Sequence, residues 1–173
     1  MKKIIKKLPL FLGIGVLVVS IMVSAASVGQ KKSVARTVSQ ASEEQVKLSL
    51  IFTDPDIISV ILSSPKPVLG ADVVLSYDKS AVTILPSTLT GGSLFTVGSG
   101  LTDEEKGVFK FSAAAKDQPA SSGILTTFRI QKKEGFTGDT TIDFDESDQG
   151  TTVLEKDSFQ NILSTTEGIT ISF

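Results

Sequence analysis

The chain has 173 residues and a formal net charge of −2, with 17 Lys and Arg against 19 Asp and Glu. It contains neither Cys nor His, which excludes disulfides within the chain, a Ser-His-Asp triad and most zinc sites. Four of the basic residues precede residue 8, so residues 8–173 carry 13 basic against 19 acidic side chains, a balance that argues against nucleic-acid binding.

Residues 1–26 have the composition of an export element. Four lysines occur among the first seven residues, and no charged residue follows until Lys31. A basic start, an apolar centre and small residues at 23–25 are typical of a cleaved signal peptide. Residues 8–28 are also long enough for an uncleaved membrane anchor, and this length favours the anchor. Either form predicts a following domain outside the cell, held at the membrane if anchored and secreted if the leader is cleaved.

The rest of the chain divides into a linker and one domain. Residues 27–44 are polar and rich in small side chains, without a sustained apolar period, which predicts a solvated linker. Residues 45–173 fall within the usual size of a domain with its own hydrophobic core. We therefore expect a single domain after the linker.

The first predicted strands form a hairpin at the start of this domain. Apolar residues alternate with other residues over 46–52 and again over 58–62, and an Asp-Pro turn separates the two runs. A period of two is typical of a strand with one buried face. Pro65 and Pro67 then predict an interruption, because proline lacks the N–H that a sheet ladder needs.

A second pair of strands is predicted from Val68 to Leu85, in the segment VLGADVVLSYDKSAVTIL. The predicted buried face of its first strand is formed by Val73, Leu75 and Tyr77. The predicted open face is formed by Asp72, Val74 and Ser76. Turn residues at 78–80 and renewed alternation at 82–84 complete the pair.

The remaining segments continue the same alternation. Short strands are predicted around 94–97, 109–111, 124–130, 141–145, 153–154 and 169–173. In the longest of them, Ile124 and Phe128 are expected on one face and Leu125 on the other. About nine short strands and no amphipathic helical stretch in the domain predict an all-β antiparallel sandwich, preceded by an N-terminal apolar helix. A closed barrel is the alternative.

The segment GADVVLSYDKSAVTIL resembles the signature strand pair of cohesin modules. These β-sandwich domains bind dockerin-bearing proteins in cellulosomes and related cell-surface assemblies. The later segments GVFKFS, SSGILTTFRIQKK, EGFTGDTTIDF and EGITISF follow in the family's order, so the resemblance covers residues 45–173. It implies a jelly-roll sandwich, in the same superfamily as certain carbohydrate-binding modules, without catalytic activity or a cofactor.

The resemblance also implies a site and a partner. In cohesins, outward residues of the strand before Tyr-Asp contact the dockerin, and an acidic side chain is frequent at the position that Asp72 occupies. Val74 and Ser76 share its predicted face and would border the contact. Gly70 departs from the pattern, because many family members have Asn there. We therefore expect a dockerin-like partner in trans, held by a scaffold at the cell surface that serves polysaccharide degradation.

Two other functions stay open from the residues. Direct polysaccharide binding normally uses exposed aromatic rings, and the chain has no Trp and one Tyr, which is at a predicted core position. A structural or adhesive surface module is the other function, since edge strands of a sandwich can pair between copies. A glycosidase is disfavoured, because its paired carboxylates would need a sugar cleft walled by aromatic rings.

An acidic run, DTTIDFDESDQG, contains the candidate calcium ligands Asp143, Asp145 and Asp148. Calcium is bound by several carboxylate and carbonyl oxygens that lie close together. The spacing of these residues does not match an EF-hand loop. A solvated edge of a strand explains the run without a metal, and this interpretation is favoured.

Overall fold

The computed structural model describes residues 45–173 except Asp148. The predicted leader, residues 1–26 with their apolar helix, and the predicted linker, residues 27–44, lie outside the described residues. In the part of the chain that is described, no helix has the length and apolar character needed to cross a membrane.

Eleven β-strands and no helix occur among the described residues. The strands are β1 (Lys47–Asp54), β2 (Ile57–Tyr77), β3 (Val82–Gly91), β4 (Phe95–Val97), β5 (Leu101–Asp103), β6 (Val108–Ala115), β7 (Ala120–Lys132), β8 (Asp139–Phe144), β9 (Thr152–Glu155), β10 (Thr165–Glu167) and β11 (Ile169–Ser172). The all-β prediction is confirmed, although the number of strands exceeds the expected nine. Strands β5 and β10 are absent from the predicted set, because three residues carry too little alternation to be recognised.

Strand β2 runs through the two prolines that predict an interruption, so the predicted strand ends on either side of them are wrong. Its regular pairing with β7 stops at Ser63 and resumes at Val68. Pro65 and Pro67 lie in this gap, where the ladder needs no N–H from them. The pairing is therefore interrupted as expected, whereas the strand itself is continuous.

Strand β2 joins two groups of strands, because its two halves have different partners. Residues 57–63 pair with β1 and β7, and β10 and β3 extend this first group. Residues 68–77 pair with β6, β8 and β9, apart from one further pairing of Val68 with β7, and β4, β5 and β11 extend the second group. Only the β1–β10 pair among the described strands is parallel, which corrects the prediction of a wholly antiparallel sheet.

The two groups face each other across one hydrophobic core, as in a β-sandwich. The Phe109 ring on β6 lies 5.2 Å from the Phe128 ring on β7, measured between ring centroids, and these strands belong to different groups. Alternate residues of β2 from Ala71 to Tyr77 are buried in this core. The predicted buried face of this strand, including Tyr77, is therefore confirmed.

The strand, turn and second strand predicted over residues 68–85 all form, but β2 and β3 do not pair with each other. The turn between them forms as expected, with the Ala81 N–H donating to the Asp78 carbonyl oxygen at 3.1 Å. After this turn, β3 pairs with β7 in the first group, whereas the end of β2 pairs in the second group. The turn therefore carries the chain from one side of the sandwich to the other.

A β-bulge changes the predicted faces of β7. The register of its pairing with β2 shifts between Thr126 and Ile124. Phe128 points inward as expected, but Leu125 is fully buried and Ile124 is 43% exposed. An extra residue in one strand reverses the alternation beyond it, and this reversal corrects the predicted placement of both residues.

The described residues contain a hydrophobic core. Its buried side chains extend along the chain from Val46 to Ile171, and each strand pairs with other strands of the same segment. The sheet pairing and the hydrophobic core thus both come from residues 45–173. This segment is therefore expected to fold without residues 1–44.

Candidate functional site

Asp72, the predicted contact residue, lies on the outer face of the second group of strands. It is exposed, and it stands directly opposite Ser112 of β6 and Thr152 of β9. Directly opposed residues of an antiparallel pair point to the same face. The Ser112 hydroxyl donates a hydrogen bond to Asp72 Oδ1 at 2.5 Å, so the carboxylate is held within a polar row that crosses three strands.

Val74 lies on the same outer face, but it is only 6% exposed. The Val74 N–H donates to Thr151 Oγ1 at 3.1 Å, and the Thr151 hydroxyl donates to the Val74 carbonyl oxygen at 3.0 Å. The Asp145 N–H donates to the same carbonyl oxygen at 2.8 Å. Strands β8 and β9 share one edge of β2, and their connection crosses the gap between them at Val74. This residue is therefore part of the floor of the site, which corrects its predicted position on an open face.

The contacts of Thr151 predict that its hydroxyl is needed for stability. Replacing Thr151 by Val keeps the shape of the side chain but leaves the buried Val74 N–H without its acceptor. A buried donor without a partner costs about 1–3 kcal/mol, and we expect the free energy of unfolding of residues 45–173 to fall by that amount in urea titrations. Thr151→Ser, which keeps the hydroxyl, is the control. Equal stability of the Val and Ser variants would contradict the prediction.

Ser76 stands at the end of the same face. It is exposed and lies opposite Val108 of β6 and Asp143 of β8. Its hydroxyl lies 3.5 Å from the Asp143 carbonyl oxygen. Ser76 thus shares the outer face with Asp72, as the sequence predicts, but it contacts a different pair of strands at this end.

A groove of about 400 Å³ crosses the outer face, and it includes two of the three predicted site residues. The residues that line it include Asp72, Val74, Leu101, Lys110, Gln149 and Thr152. Ser76 lies outside this groove. The groove therefore combines an apolar floor with one acidic and one basic side chain.

Leu101 and Lys110 are among the groove residues that are missing from the predicted site. Lys110 alternates with Phe109 and Phe111 on β6, so its outward direction was available from the sequence. Leu101 belongs to the three-residue strand β5, whose pattern carries no periodic signal. Nothing in the sequence indicates that β5 pairs with β6 and places these two residues side by side.

Two of the three candidate calcium ligands, Asp143 and Asp145, lie among the described residues. Asp143 Oδ1 and Asp145 Oδ1 each accept a backbone N–H of a neighbouring residue at 2.9 Å. Hydrogen bonds from Ser147 lower the pKa of Asp145, and the charge of Lys110 lowers it further. Across the described residues, no three acidic side chains come together as metal ligands, and Asp148 lies outside these residues. The two described carboxylates instead stabilise the local backbone.

Gly70 lies where the chain has no room for a side chain. A Cβ atom at this position would lie 2.3 Å from the Ala113 carbonyl oxygen and 3.2 Å from Ala114 Cα. Both are backbone atoms of β6, which pairs with β2 at this point. The absence of the Asn found in many cohesins therefore follows from the close approach of β6.

The similarity of this chain to known proteins lies in its structure. No protein-family model and no curated protein matches the sequence. A cohesin from a type II cohesin–X-dockerin complex of Acetivibrio cellulolyticus has a TM-score of 0.57 and 17% identity, over 70% of this chain and 93% of that chain. A cohesin from a type I cohesin–dockerin complex of Clostridium thermocellum has a TM-score of 0.55 and 14% identity, over 77% and 97% of the two chains.

A cohesin from an archaeon is similar to the same extent. The non-cellulosomal cohesin of Archaeoglobus fulgidus has a TM-score of 0.56 and 13% identity, over 74% of this chain and 90% of that chain. These likenesses span the described domain and concern its fold. The domain is therefore a cohesin-like β-sandwich, as the resemblance of its sequence implies.

Proposed function

We propose that this chain is a non-catalytic, extracytoplasmic cohesin-like module that binds a dockerin-bearing protein through the groove on its outer face. The observation that carries the proposal is the exposed carboxylate of Asp72 in this groove. The similar cohesins from Acetivibrio cellulolyticus and Clostridium thermocellum occur in complexes with dockerins, which supports the class of partner. The jelly-roll connectivity implied by the resemblance is part of the same proposal.

The proposed role is that of a scaffold or anchor. Residues 8–28 would hold the domain at the outside of the cell membrane, or the domain would be secreted if the leader is cleaved. In either form it would collect dockerin-bearing proteins, including those that degrade polysaccharides. The linker of residues 27–44 would separate the groove from the membrane.

The chemistry of the groove supports binding in preference to catalysis. Its side chains project from paired strands and from the connection of residues 145–151, which hydrogen bonds to Val74. Leu101 offers apolar surface, while Asp72 and Lys110 offer charges of opposite sign. The chain has no His to act as general base. Such a mixed surface on a rigid sheet suits recognition of a protein segment.

A binding panel tests the proposal. Residues 45–173 are immobilised and exposed to each dockerin-like protein encoded by the same genome, beside a polysaccharide array. We expect capture of at least one dockerin-like protein. Binding of glycans without capture of any such protein would contradict the proposal and favour a carbohydrate-binding module. Phe159, 71% exposed in the connection between β9 and β10, is then the aromatic residue to replace first.

Loss of the Asp72 carboxylate should weaken the complex without unfolding the domain. We expect Asp72→Ala to lower the affinity for the captured dockerin-like protein about tenfold, because interface residues at the centre of a contact contribute more than 1 kcal/mol. The unfolding free energy should change by less than about 0.5 kcal/mol, as for other surface substitutions. Biolayer interferometry and urea titration measure the two quantities. Asp117→Ala, at another exposed acidic residue, should leave the affinity unchanged, and equal affinities of the two variants would remove Asp72 from the site.

A further inference from the structure

Leu101, Lys110 and Val74 form one row across three strands of the outer face. Leu101 of β5 stands directly opposite Lys110 of β6, and Lys110 stands directly opposite Val74 of β2. Leu101 is 70% exposed, and Lys110 is also exposed. Both line the groove together with Asp72. An apolar side chain and an ammonium group therefore lie next to each other on the surface that a partner would cover.

Asp72 and Lys110 do not form an ion pair with each other. They are diagonal neighbours on β2 and β6, a spacing of about 7–8 Å between residues of an antiparallel pair, and the acidic side chain whose charge interacts with Lys110 is that of Asp145. The ion pairs found among the described residues involve Lys47, Lys66, Lys106 and Arg129, and neither Asp72 nor Lys110 takes part in them. The hydrogen-bond partner of Asp72 is the neutral hydroxyl of Ser112.

A partner that covers Leu101 must also displace water from Lys110. Burying the apolar surface of Leu101 favours association, whereas removing an unpaired ammonium group from water opposes it. A partner that brings an apolar side chain and a carboxylate together buries Leu101 and also gives the Lys110 ammonium group an ion-pair partner. The same argument requires a cationic or hydrogen-bond-donating group opposite Asp72.

We propose that Leu101 and Lys110 determine which partner the groove accepts, by selecting a protein segment in which an apolar side chain is adjacent to an acidic one. This inference rests on the proposed function, since it concerns the same groove, and it adds the chemistry of the partner. Lys110 sets the sign of the charge, and Leu101 supplies the apolar contact. Asp72 then orients the segment through a contact of opposite sign.

The test uses a phage-displayed three-helix scaffold with a randomised surface, selected in parallel against residues 45–173 and their Lys110→Glu variant. Against the wild-type sequence, we expect enrichment of Asp or Glu next to a large apolar residue. Against Lys110→Glu, we expect Lys or Arg at the same position. Scaffolds selected on the wild-type sequence should bind Lys110→Glu and Leu101→Ser at least tenfold more weakly, but Lys110→Arg within about twofold.

Lys133→Glu is the matched control, because Lys133 is exposed and lies outside the groove. Its affinity for the selected scaffolds should equal that of the wild-type sequence. The proposal is overturned if the same residues are enriched on both targets or if no scaffold is enriched. It is also overturned if the selected scaffolds bind Leu101→Ser and Lys110→Glu as tightly as the wild-type sequence.

The dockerin panel separates this inference from the proposed function. Charge-dependent selection of scaffolds without capture of any dockerin-like protein would contradict the proposed function and leave the selectivity of the groove in place. Capture of a dockerin-like protein that binds wild-type and Lys110→Glu equally well would support the proposed function and overturn the inference.

Discussion

Phe109→Ala should destabilise the domain by about 3–5 kcal/mol, the usual cost of removing a buried aromatic side chain. The Phe109 ring is fully buried and lies 5.6 Å from the Phe111 ring and 5.2 Å from the Phe128 ring, measured between centroids. Phe128 belongs to the first group of strands and Phe109 to the second, so the substitution opens a cavity where the two groups meet. Domains of this kind have a total stability of only about 5–15 kcal/mol.

Urea unfolding of residues 45–173 at 25 °C, followed by circular dichroism, measures this loss. The matched control is Phe159→Ala, because Phe159 is 71% exposed and its removal should cost less than about 0.5 kcal/mol. A loss below about 1 kcal/mol for Phe109→Ala would mean that the two groups of strands do not depend on this ring for their packing.

Gly70→Asn should also destabilise the domain, although Asn is frequent at this position in the cohesins that the sequence resembles. The new Cβ would lie 2.3 Å from the Ala113 carbonyl oxygen, and a backbone atom in a sheet ladder cannot rotate away. We expect a loss of about 1–3 kcal/mol, the usual cost of overpacking, with the variant's β6 displaced from β2.

Gly98→Asn is the matched control for this substitution. A Cβ at position 98 would have the Ser112 carbonyl oxygen as its nearest neighbour, at 3.9 Å, and the backbone there does not adopt a positive φ. Its unfolding free energy in urea should stay within about 0.5 kcal/mol of the wild-type value. If Gly70→Asn is as stable as Gly98→Asn, the close approach of β6 does not explain the glycine.

Position 70 also shows how a family pattern and a structure can differ in what they predict. From the resemblance, Gly70 is a departure from the Asn that many family members have at this position. From the structure, it is a position where β6 approaches too closely for any side chain. The neighbouring position 72 keeps its acidic residue, and the exposed carboxylate there lines the groove.

Asp72 is exposed on the outer face, as predicted, whereas Val74 on the same face is buried. Both predictions follow from the same alternation along β2, which places the two residues on one face. The difference arises at the edge of β2, where residues 145–151 hydrogen bond to the Val74 backbone in the gap between β8 and β9, whereas Asp72 lies opposite Thr152 of β9 and stays exposed. That connection lies more than seventy residues away in the chain, so no local pattern around Val74 could reveal it.

The sequence by itself determined the all-β class, the hairpin of β1 and β2, the buried face of β2 through Tyr77, and the cohesin resemblance of the domain. These features depend on alternation, turn residues and short motifs, which are local properties of the chain. These features do not depend on which strands pair with each other in the folded domain.

Only the tertiary structure decided the partners of each strand, the bulge that buries Leu125, the burial of Val74 beside residues 145–151 and the groove in which Leu101 and Lys110 lie side by side. Each of these features depends on which distant segments meet. Pairing energies are similar for many alternating strands, and burial of the whole core selects among them. Which residues line the groove is therefore known only once β5, β6 and β2 are placed side by side.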